Sequence, residues 1–162
     1  MTTITFRPVR TADDLTLLDG ALRALSADLG DPHKASRDCL GSAVLSDRPS
    51  AYGLLAMDGD RLCGAALFSP TFSTARGAAG VYVSDLWVDE TVRGCGLGRR
   101  LLADVAARAC AGWKAGWLTL AVYDHSSASR AFYDRLGLAP RTGATVMTLD
   151  RPEFLEMMKD AR

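Results

Sequence analysis

The chain has 162 residues, and its 19 basic and 19 acidic side chains give a formal net charge of +0. This balance argues against a broad electrostatic surface for nucleic acid or for an anionic membrane. No apolar run approaches the roughly 20 residues that cross a bilayer, and the opening segment MTTITFRPVR lacks the apolar core of a signal peptide. We therefore expect one cytoplasmic domain over residues 1–162, with no nucleic-acid partner and no membrane partner.

The cysteines do not follow the spacing of a zinc motif. They are Cys39, Cys63, Cys95 and Cys110, none of them in a CxxC pair, and only two histidines accompany them. Because disulfides are rare in cytosolic proteins, we expect reduced thiols at all four positions. The sequence predicts no metal site.

Hydrophobic periodicity divides the N-terminal half into helices and strands. The predicted elements are a strand over 4–6, a helix over 11–29, a weaker helix over 35–45, and hairpin strands over 51–57 and 62–68. Thr11 and Asp14 have the spacing of a capping box, and Asp58-Gly59-Asp60 has the composition of a hairpin turn. We interpret 69–80, rich in small and polar residues, as a mobile loop.

The C-terminal half alternates strands with helices. The predicted strands cover 81–88, 117–123 and 145–149, and the predicted helices cover the stripe 97–109, then 126–136 and 152–159. The unit from Val81 to Tyr123 is expected to form a parallel strand–helix–strand crossover. Together these elements predict a mixed α/β (α+β) fold, in which a central twisted mixed sheet of six to seven strands has helices on both faces.

A glycine-rich segment joins strand 81–88 to the helix after it. Its sequence is Arg93-Gly94-Cys95-Gly96-Leu97-Gly98-Arg99-Arg100. Alternating glycines let the backbone adopt positive φ and approach a ligand closely. Because the segment opens a helix, its free N–H groups and the positive helix end suit phosphate oxygens, and the arginines add charge-assisted contacts. Cations at a helix start oppose the dipole unless an anion is bound, so the segment predicts a pyrophosphate site.

Three phosphate-binding patterns compete for this segment. A Walker loop requires GxxxxGK followed by Ser or Thr, and here the lysine is missing and the spacing is wrong. A dinucleotide fingerprint GxGxxG fits Gly94 and Gly96 but meets Arg99 at its third glycine. Since Asp124 follows the next strand and can imitate a ribose-binding acid, an oxidoreductase with a nucleotide cofactor stays an alternative. The third pattern, R/Q-x-x-G-x-G/A, is matched by Arg93, Gly96 and Gly98.

With Asp85-Leu86-Trp87-Val88 before that third pattern and a tyrosine-containing helix one crossover after it, the chain resembles the GNAT superfamily of acetyltransferases. The resemblance covers essentially the whole chain. It implies that acetyl-CoA is the cosubstrate and that the glycine-rich segment holds its pyrophosphate. The cofactor contacts that it implies in this region are Leu86, Trp87, Val88, Arg93, Gly94, Cys95, Gly96, Leu97, Gly98 and Arg99.

The predicted helix after the next strand has two faces. Ala128, Phe132 and Leu136 form a stripe that we expect to be buried, and Ser126, Ser129 and Tyr133 share another face. GNAT members commonly have NxxAxxxYxxxG here. Tyr133 and Gly137 match this pattern, whereas serines occupy the asparagine and alanine positions. The resemblance implies that Ser126, Ser129 and Tyr133 contact the cofactor.

The reaction that the resemblance implies is direct attack of an amine on the acetyl thioester. The amine must lose a proton, the tetrahedral oxyanion needs a fixed N–H donor, and the leaving thiolate needs a proton. By resemblance, Tyr133 is the general acid and the oxyanion donor lies around Trp87 and Val88. Asp85 is the expected base; Glu90, His125 and a water molecule are alternatives.

Within the family, the chain looks most like the spermidine/spermine and thialysine acetyltransferase branch. The shared segments are Phe72-Ser73-Thr74, Tyr82-Val83-Ser84-Asp85-Leu86-Trp87-Val88 and the segment from Leu149 to Leu155. That branch often has two acids where this chain has Ser84 and Asp85. The resemblance implies a small-molecule amine substrate, polyamine-like amines included, and a homodimer. A non-catalytic acetyl-CoA-binding regulator and a peptide or protein acetyltransferase stay open as alternatives.

Overall fold

The computed structural model describes residues 3–161. Its strands are β1 (Thr5–Pro8), β2 (Tyr52–Asp58), β3 (Arg61–Ser73), β4 (Ala78–Val88) and β5 (Leu118–Leu120). Its α-helices are α1 (Ala12–Leu29), α2 (Arg37–Val44), α3 (Leu97–Trp113), α4 (Ser127–Arg135) and α5 (Arg151–Met157). Short 3-10 helices cover Glu90–Val92 and Met158–Ala161. No helix within residues 3–161 is both long and apolar enough to cross a membrane.

The chain divides into two compact units, the first ending at Tyr123 and the second beginning at Asp124. The first unit contains the whole sheet, and the second contains α4 and α5. The assignment of residues 1–162 to one functional domain stays a prediction.

The sheet has its five strands in sequence order, β1-β2-β3-β4-β5. The first three pairings are antiparallel, and β4 pairs with β5 in parallel through the connection that contains α3. The predicted parallel crossover is therefore confirmed, because two parallel neighbours need a long connection from one end of the sheet to the other.

Helices cover both faces of this sheet, as predicted. On one face, buried leucines of α1 and α2 cluster with β2 and β3 side chains. A Cβ built on Gly53 would lie 2.8 Å from Leu18 of α1, whereas one built on Gly64 would lie 2.8 Å from Leu101 of α3. These two glycines therefore let a helix approach each face closely.

The capping box at the start of α1 is confirmed. The Thr11 hydroxyl accepts from the Asp14 N–H, and the Asp14 carboxylate accepts from the Thr11 N–H, both at 3.1 Å. Arg7 lies 3.0 Å from the same carboxylate. Burial alone would raise the pKa of Asp14, but hydrogen bonds from Arg10 and Thr11 and the charge of Arg7 outweigh it and lower the pKa. The box thus ties β1 to the first turn of α1.

Three sequence predictions about strands were wrong. The described residues form five strands, not six to seven, because 145–149 has no pairing partner and forms no strand despite its alternating pattern. The strand expected over 117–123 contracts to Leu118–Leu120. The loop expected over 69–80 is instead the end of a long hairpin, in which β3 continues to Ser73 and β4 starts at Ala78.

Tertiary contacts with a tryptophan explain the long hairpin. The Trp117 indole N–H donates to the Ala78 carbonyl at 3.1 Å, and the Arg76 guanidinium lies 4.9 Å from the indole ring centroid. A Cβ on Gly80 would lie 2.4 Å from the same indole, so only glycine lets the ring lie against the strand. Composition alone suggested a flexible segment because these contacts come from residues about forty positions away.

Candidate active site

The two parallel strands separate at a β-bulge. They pair only from Val81 with Leu118 to Val83 with Leu120, and β4 then continues to Val88 alongside β3 alone. At the separation, Phe68 pairs with Val83 and Leu67 pairs with Asp85, so Ser84 is the extra residue of the bulge. A bulge bends its strand and increases its twist. Among the described residues, the β5-side edge of β4 beyond Ser84 therefore has no strand partner.

The N–H groups near the end of β4 point alternately toward β3 and toward the open edge. The Asp89 N–H donates to the Cys63 carbonyl of β3 at 2.9 Å. Because successive residues of a strand direct their N–H groups to opposite edges, the N–H of Val88 and that of Leu86 point away from β3, toward the open edge. The Trp87 N–H points back to β3. Leu86 and Val88 therefore offer their N–H groups at the open edge, and the oxyanion donor expected around Trp87 and Val88 stays a prediction.

The glycine-rich segment forms a turn that opens α3. Gly94 has φ 81° and Gly96 has φ 76°, both in the left-handed region that favours glycine. Gly96 is the N-cap residue of α3, and no side chain caps this helix start. The first-turn N–H groups of α3 thus lack a side-chain acceptor, which suits the oxygens of an anion. The pyrophosphate site itself stays a prediction.

The arginines of this segment have different environments. Arg93 donates from Nε to the Val88 carbonyl at 2.8 Å and lies 2.6 Å, through Nη2, from the Asp28 carboxylate of α1. Arg99 is exposed. Arg100 lies over the Phe6 ring, 5.3 Å from its centroid, and is therefore a contact of β1. The phosphate contacts expected from these arginines stay predictions.

A second polar contact joins a residue just after α1 to a residue just after β5. The Tyr123 hydroxyl donates to the Asp31 carboxylate at 2.7 Å. This hydrogen bond, with the negative charge of Asp31, raises the pKa of Tyr123. Asp28 in α1 and Asp31 just after it therefore contact residues that follow β4 and β5.

Asp85 lies directly after the bulge residue and is half-buried. Glu90, the alternative base, is exposed in the 3-10 helix after β4. Asp89 holds the turn that follows β4. Its carboxylate accepts from the Thr91 N–H at 3.0 Å and from Arg61 at 3.1 Å. The Thr91 hydrogen bonds and then the Arg61 charge lower the pKa of Asp89. This clamp keeps the segment between β4 and the glycine-rich turn in place.

The second unit contains the other predicted site residues. Ser126 is the N-cap of α4, and Ser129 and Tyr133 lie within that helix, which is followed by Gly137 at φ 86°. Burial raises the pKa of Tyr133, so the phenol stays protonated at neutral pH. The prediction that Ala128, Phe132 and Leu136 form a buried stripe is wrong, since no residue of α4 is fully buried.

A cavity of about 380 Å³ lies elsewhere in the first unit. Its lining includes Tyr52, Phe68 and Trp113, whose rings stack with centroids 5.5–6.5 Å apart. Trp113 is the last residue of α3, whereas the glycine-rich turn precedes the first. This cavity therefore contains none of the predicted site residues.

All four cysteines are free thiols, as expected. Cys63 is buried in β3, and Cys95 is exposed in the glycine-rich turn. The Cys95 thiol donates to the Arg93 carbonyl at 3.9 Å and so contacts the backbone of the turn itself.

Sequence reasoning missed the partners of the glycine-rich turn. Asp28 lies 65 positions before Arg93, and Asp31 lies 92 positions before Tyr123. No local spacing signals pairs so distant in sequence. The clamp at Asp89 had a weak signal, because an aspartate two residues before a threonine often forms a side-chain-to-backbone turn.

Comparison with known proteins identifies the family. A family model described as the acetyltransferase (GNAT) family matches residues 21–138, which is well over half of the chain. The chain therefore belongs to the GNAT family. It is an acyl-CoA-dependent N-acetyltransferase, and this family uses acetyl-CoA as its cosubstrate. A comparison with curated protein sequences found no significant match.

Solved structures show the same fold. An integron cassette protein from the mobile metagenome of V. cholerae has a TM-score of 0.77 at 20% identity, covering 98% of this chain and 99% of its own. A ribosomal-protein-alanine N-acetyltransferase from Brucella melitensis biovar Abortus has a TM-score of 0.72 at 20% identity, covering 91% and 100%. An aminoglycoside acetyltransferase from an uncultured soil metagenomic sample, in complex with sisomicin, has a TM-score of 0.73 at 12% identity, covering 91% and 97%. At these identities, the likeness concerns the fold.

Proposed function

We propose that this acetyltransferase transfers the acetyl group of acetyl-CoA directly to a primary amine of a small molecule, with polyamine-like amines among the candidates. The observation that supports this best is the combination of an open β4 edge with the uncapped start of α3. The first offers N–H donors to an acyl group, and the second offers N–H donors to a pyrophosphate. One extended ligand with both groups, such as acetyl-CoA, matches the two sets of donors.

We propose the following cofactor contacts, and we take residues 1–162 as one acetyltransferase domain. They are Leu86, Trp87, Val88, Arg93, Gly94, Cys95, Gly96, Leu97, Gly98, Arg99, Ser126, Ser129 and Tyr133. Trp87 contributes its side chain in this proposal, because its N–H points to β3. Ser126 replaces the asparagine that is usual in the family and offers a single hydroxyl in place of an amide.

The proposed mechanism needs no covalent enzyme intermediate. An aliphatic amine is mostly protonated at neutral pH, so Asp85, directly or through water, first accepts a proton from it. The amine nitrogen then attacks the thioester carbon, and the oxyanion accepts a hydrogen bond from one N–H on the open edge of β4, that of Leu86 or that of Val88. When the C–S bond breaks, the Tyr133 hydroxyl gives its proton to the leaving thiolate, and the second proton lost by the new amide nitrogen returns, directly or through water, to the tyrosinate. A phenol is protonated at neutral pH even at its ordinary pKa, and the burial that raises the pKa of Tyr133 leaves it so before the reaction.

An amine panel with acetyl-CoA tests the proposal. Thiol release is followed with spermidine, lysine, thialysine, sisomicin and a peptide with an N-terminal alanine. Release with a free amine, together with a mass increase of one acetyl group on that amine, is the expected result. Release with the peptide alone would support a peptide acetyltransferase. Tight CoA binding without release from any acceptor would support a regulatory module, and binding of NAD in place of CoA would contradict both acetyl-CoA proposals.

We further propose a cytoplasmic homodimer, similar to the spermidine/spermine and thialysine branch. Support comes from apolar side chains in the second unit: Val146 is 91% exposed and Met147 is 87% exposed. Exposed apolar patches commonly mark surfaces that a partner covers. Light scattering after gel filtration should give twice the chain mass, and a mass of one chain over the micromolar range would reject the dimer.

A further inference from the structure

Arg93 is the first residue of the glycine-rich segment, and its guanidinium already has protein partners. Its Nε donates to the Val88 carbonyl, and its Nη2 lies 2.6 Å from Asp28 Oδ2. A guanidinium presents its donors in one plane and binds carboxylates and phosphates through the same fork. Asp28 and a pyrophosphate therefore compete for one face of Arg93.

Asp28 stands where a carboxylate is unfavourable for the helix itself. It lies in the last turn of α1, near the negative end of the helix dipole, and this turn contains no basic residue. Its ion pair with Arg93 joins α1 to the segment after β4. The Asp28 carboxylate thus connects α1 to the glycine-rich segment, and it does not stabilise α1 itself.

The ion pair is weak enough for a ligand to displace. The side chains of Arg93 and Asp28 are 51% and 46% exposed. Exposed pairs contribute little because water and salt screen them. A pyrophosphate brings greater negative charge than a carboxylate and also accepts from the first-turn N–H groups of α3. It therefore binds Arg93 in preference to Asp28, and the two anions repel each other when both are near.

We propose that Asp28 is a latch on Arg93, which holds the guanidinium before the cofactor binds and is displaced when the pyrophosphate of coenzyme A binds. This inference rests on the proposed cofactor site. Asp28 is then a positioning residue that opposes cofactor binding, so removing its charge should tighten the complex. A residue that only supports the fold would have the opposite effect or none.

The test compares CoA affinity by titration calorimetry in the wild type and in Asp28→Asn. Since an exposed ion pair is worth at most about a factor of five, we expect the dissociation constant to fall about two- to fivefold. The same factor is expected for 3′-dephospho-CoA, which keeps the pyrophosphate. Asp28→Glu should restore the wild-type value. An unchanged or weaker affinity in Asp28→Asn would overturn the latch.

Two further variants show whether the effect passes through Arg93. Asp47→Asn removes the same charge from an exposed bend after α2 and should leave CoA affinity unchanged. Asp28→Asn should also have no effect in an Arg93→Ala background. If it tightens binding there by the same factor, the effect is general electrostatics and the latch is wrong. If the wild type binds no CoA, both the cofactor site and the latch are refuted. If the wild type binds CoA and Asp28→Asn binds it with the same affinity, only the latch is refuted.

Discussion

Gly96 gives the sharpest test of the pyrophosphate turn. Its φ of 76° lies in the left-handed region, and a Cβ built on it would meet no atom within 4 Å. Substitution with alanine therefore causes no clash and acts through backbone conformation alone. A residue with a Cβ in this region costs about 1–2 kcal/mol. We expect the alanine variant to relax out of this conformation when CoA is absent, so restoring the turn on binding weakens CoA affinity by a factor of about 5 to 30.

Calorimetric titration of CoA into Gly96→Ala measures that factor. Gly59→Ala is the matched control, since Gly59 also has positive φ, at 58°, and an equally empty surrounding, but lies in the β2–β3 turn. The control should lower the free energy of unfolding by a similar amount and leave CoA affinity unchanged. Wild-type affinity in Gly96→Ala, without a loss of stability like that of Gly59→Ala to account for the strain, would refute the assignment of the turn to pyrophosphate.

Three further predictions address the acid, the capping box and the aromatic cluster. Tyr133→Phe should lower turnover by about 10²-fold or more with little change in CoA affinity, because it removes a general acid; steady-state kinetics with unchanged turnover would reject that role. The lowered pKa of Asp14 stabilises the fold above the unfolded value of 3.8, and this stability is lost as the pH falls through the lower folded value. Urea unfolding should show that loss in the wild type and not in Asp14→Asn, and equal acid sensitivity in both would contradict it. Trp113→Ala removes a ring that stacks 5.5 Å from Tyr52 and a hydrogen bond to the Gly80 carbonyl. It should lower the free energy of unfolding by about 3 kcal/mol or more, and a thermal shift near zero would show that the cluster contributes little.

Local patterns predicted the fold where local interactions decide it. The capping box at Thr11 and Asp14 involves neighbours three residues apart, and the hairpin turn at Gly59 has its signal in adjacent residues. The ends of β3 and β4 depend instead on Trp117, and this contact is invisible to composition. The segment 145–149 has a strand-like pattern but no partner strand among the described residues, and a strand needs a partner for its backbone groups.

The site shows the same division. The glycine-rich turn was recognisable because positive φ and a helix start leave a signature in a few adjacent residues. The orientation of the Leu86, Trp87 and Val88 N–H groups required the register with β3, which the sequence does not encode locally. The Asp28 contact required the position of α1 against the sheet.

Ser84 affects both the shape and the charge of the proposed acceptor site. It is the bulge residue of β4, and its hydroxyl donates to the Leu67 carbonyl at 3.2 Å. An ionised carboxylate at this position accepts but does not donate, so it cannot replace that hydrogen bond. The serine therefore fits the bulge, and Asp85 is left as the carboxylate that follows it.

One carboxylate attracts a multiply charged amine less strongly than two, and this difference gives a testable preference. When a simple aliphatic monoamine is added to the amine panel, we expect it to give a higher kcat/KM than spermidine. Ser84→Asp should shift the ratio toward spermidine, since it adds a negative charge beside Asp85, while lowering stability through loss of the Leu67 hydrogen bond. Ser84→Asn, which removes the hydroxyl without adding charge, separates the two effects. A preference for spermidine in the wild type would show that carboxylates other than Asp85, such as Asp28 or Asp31, determine acceptor choice.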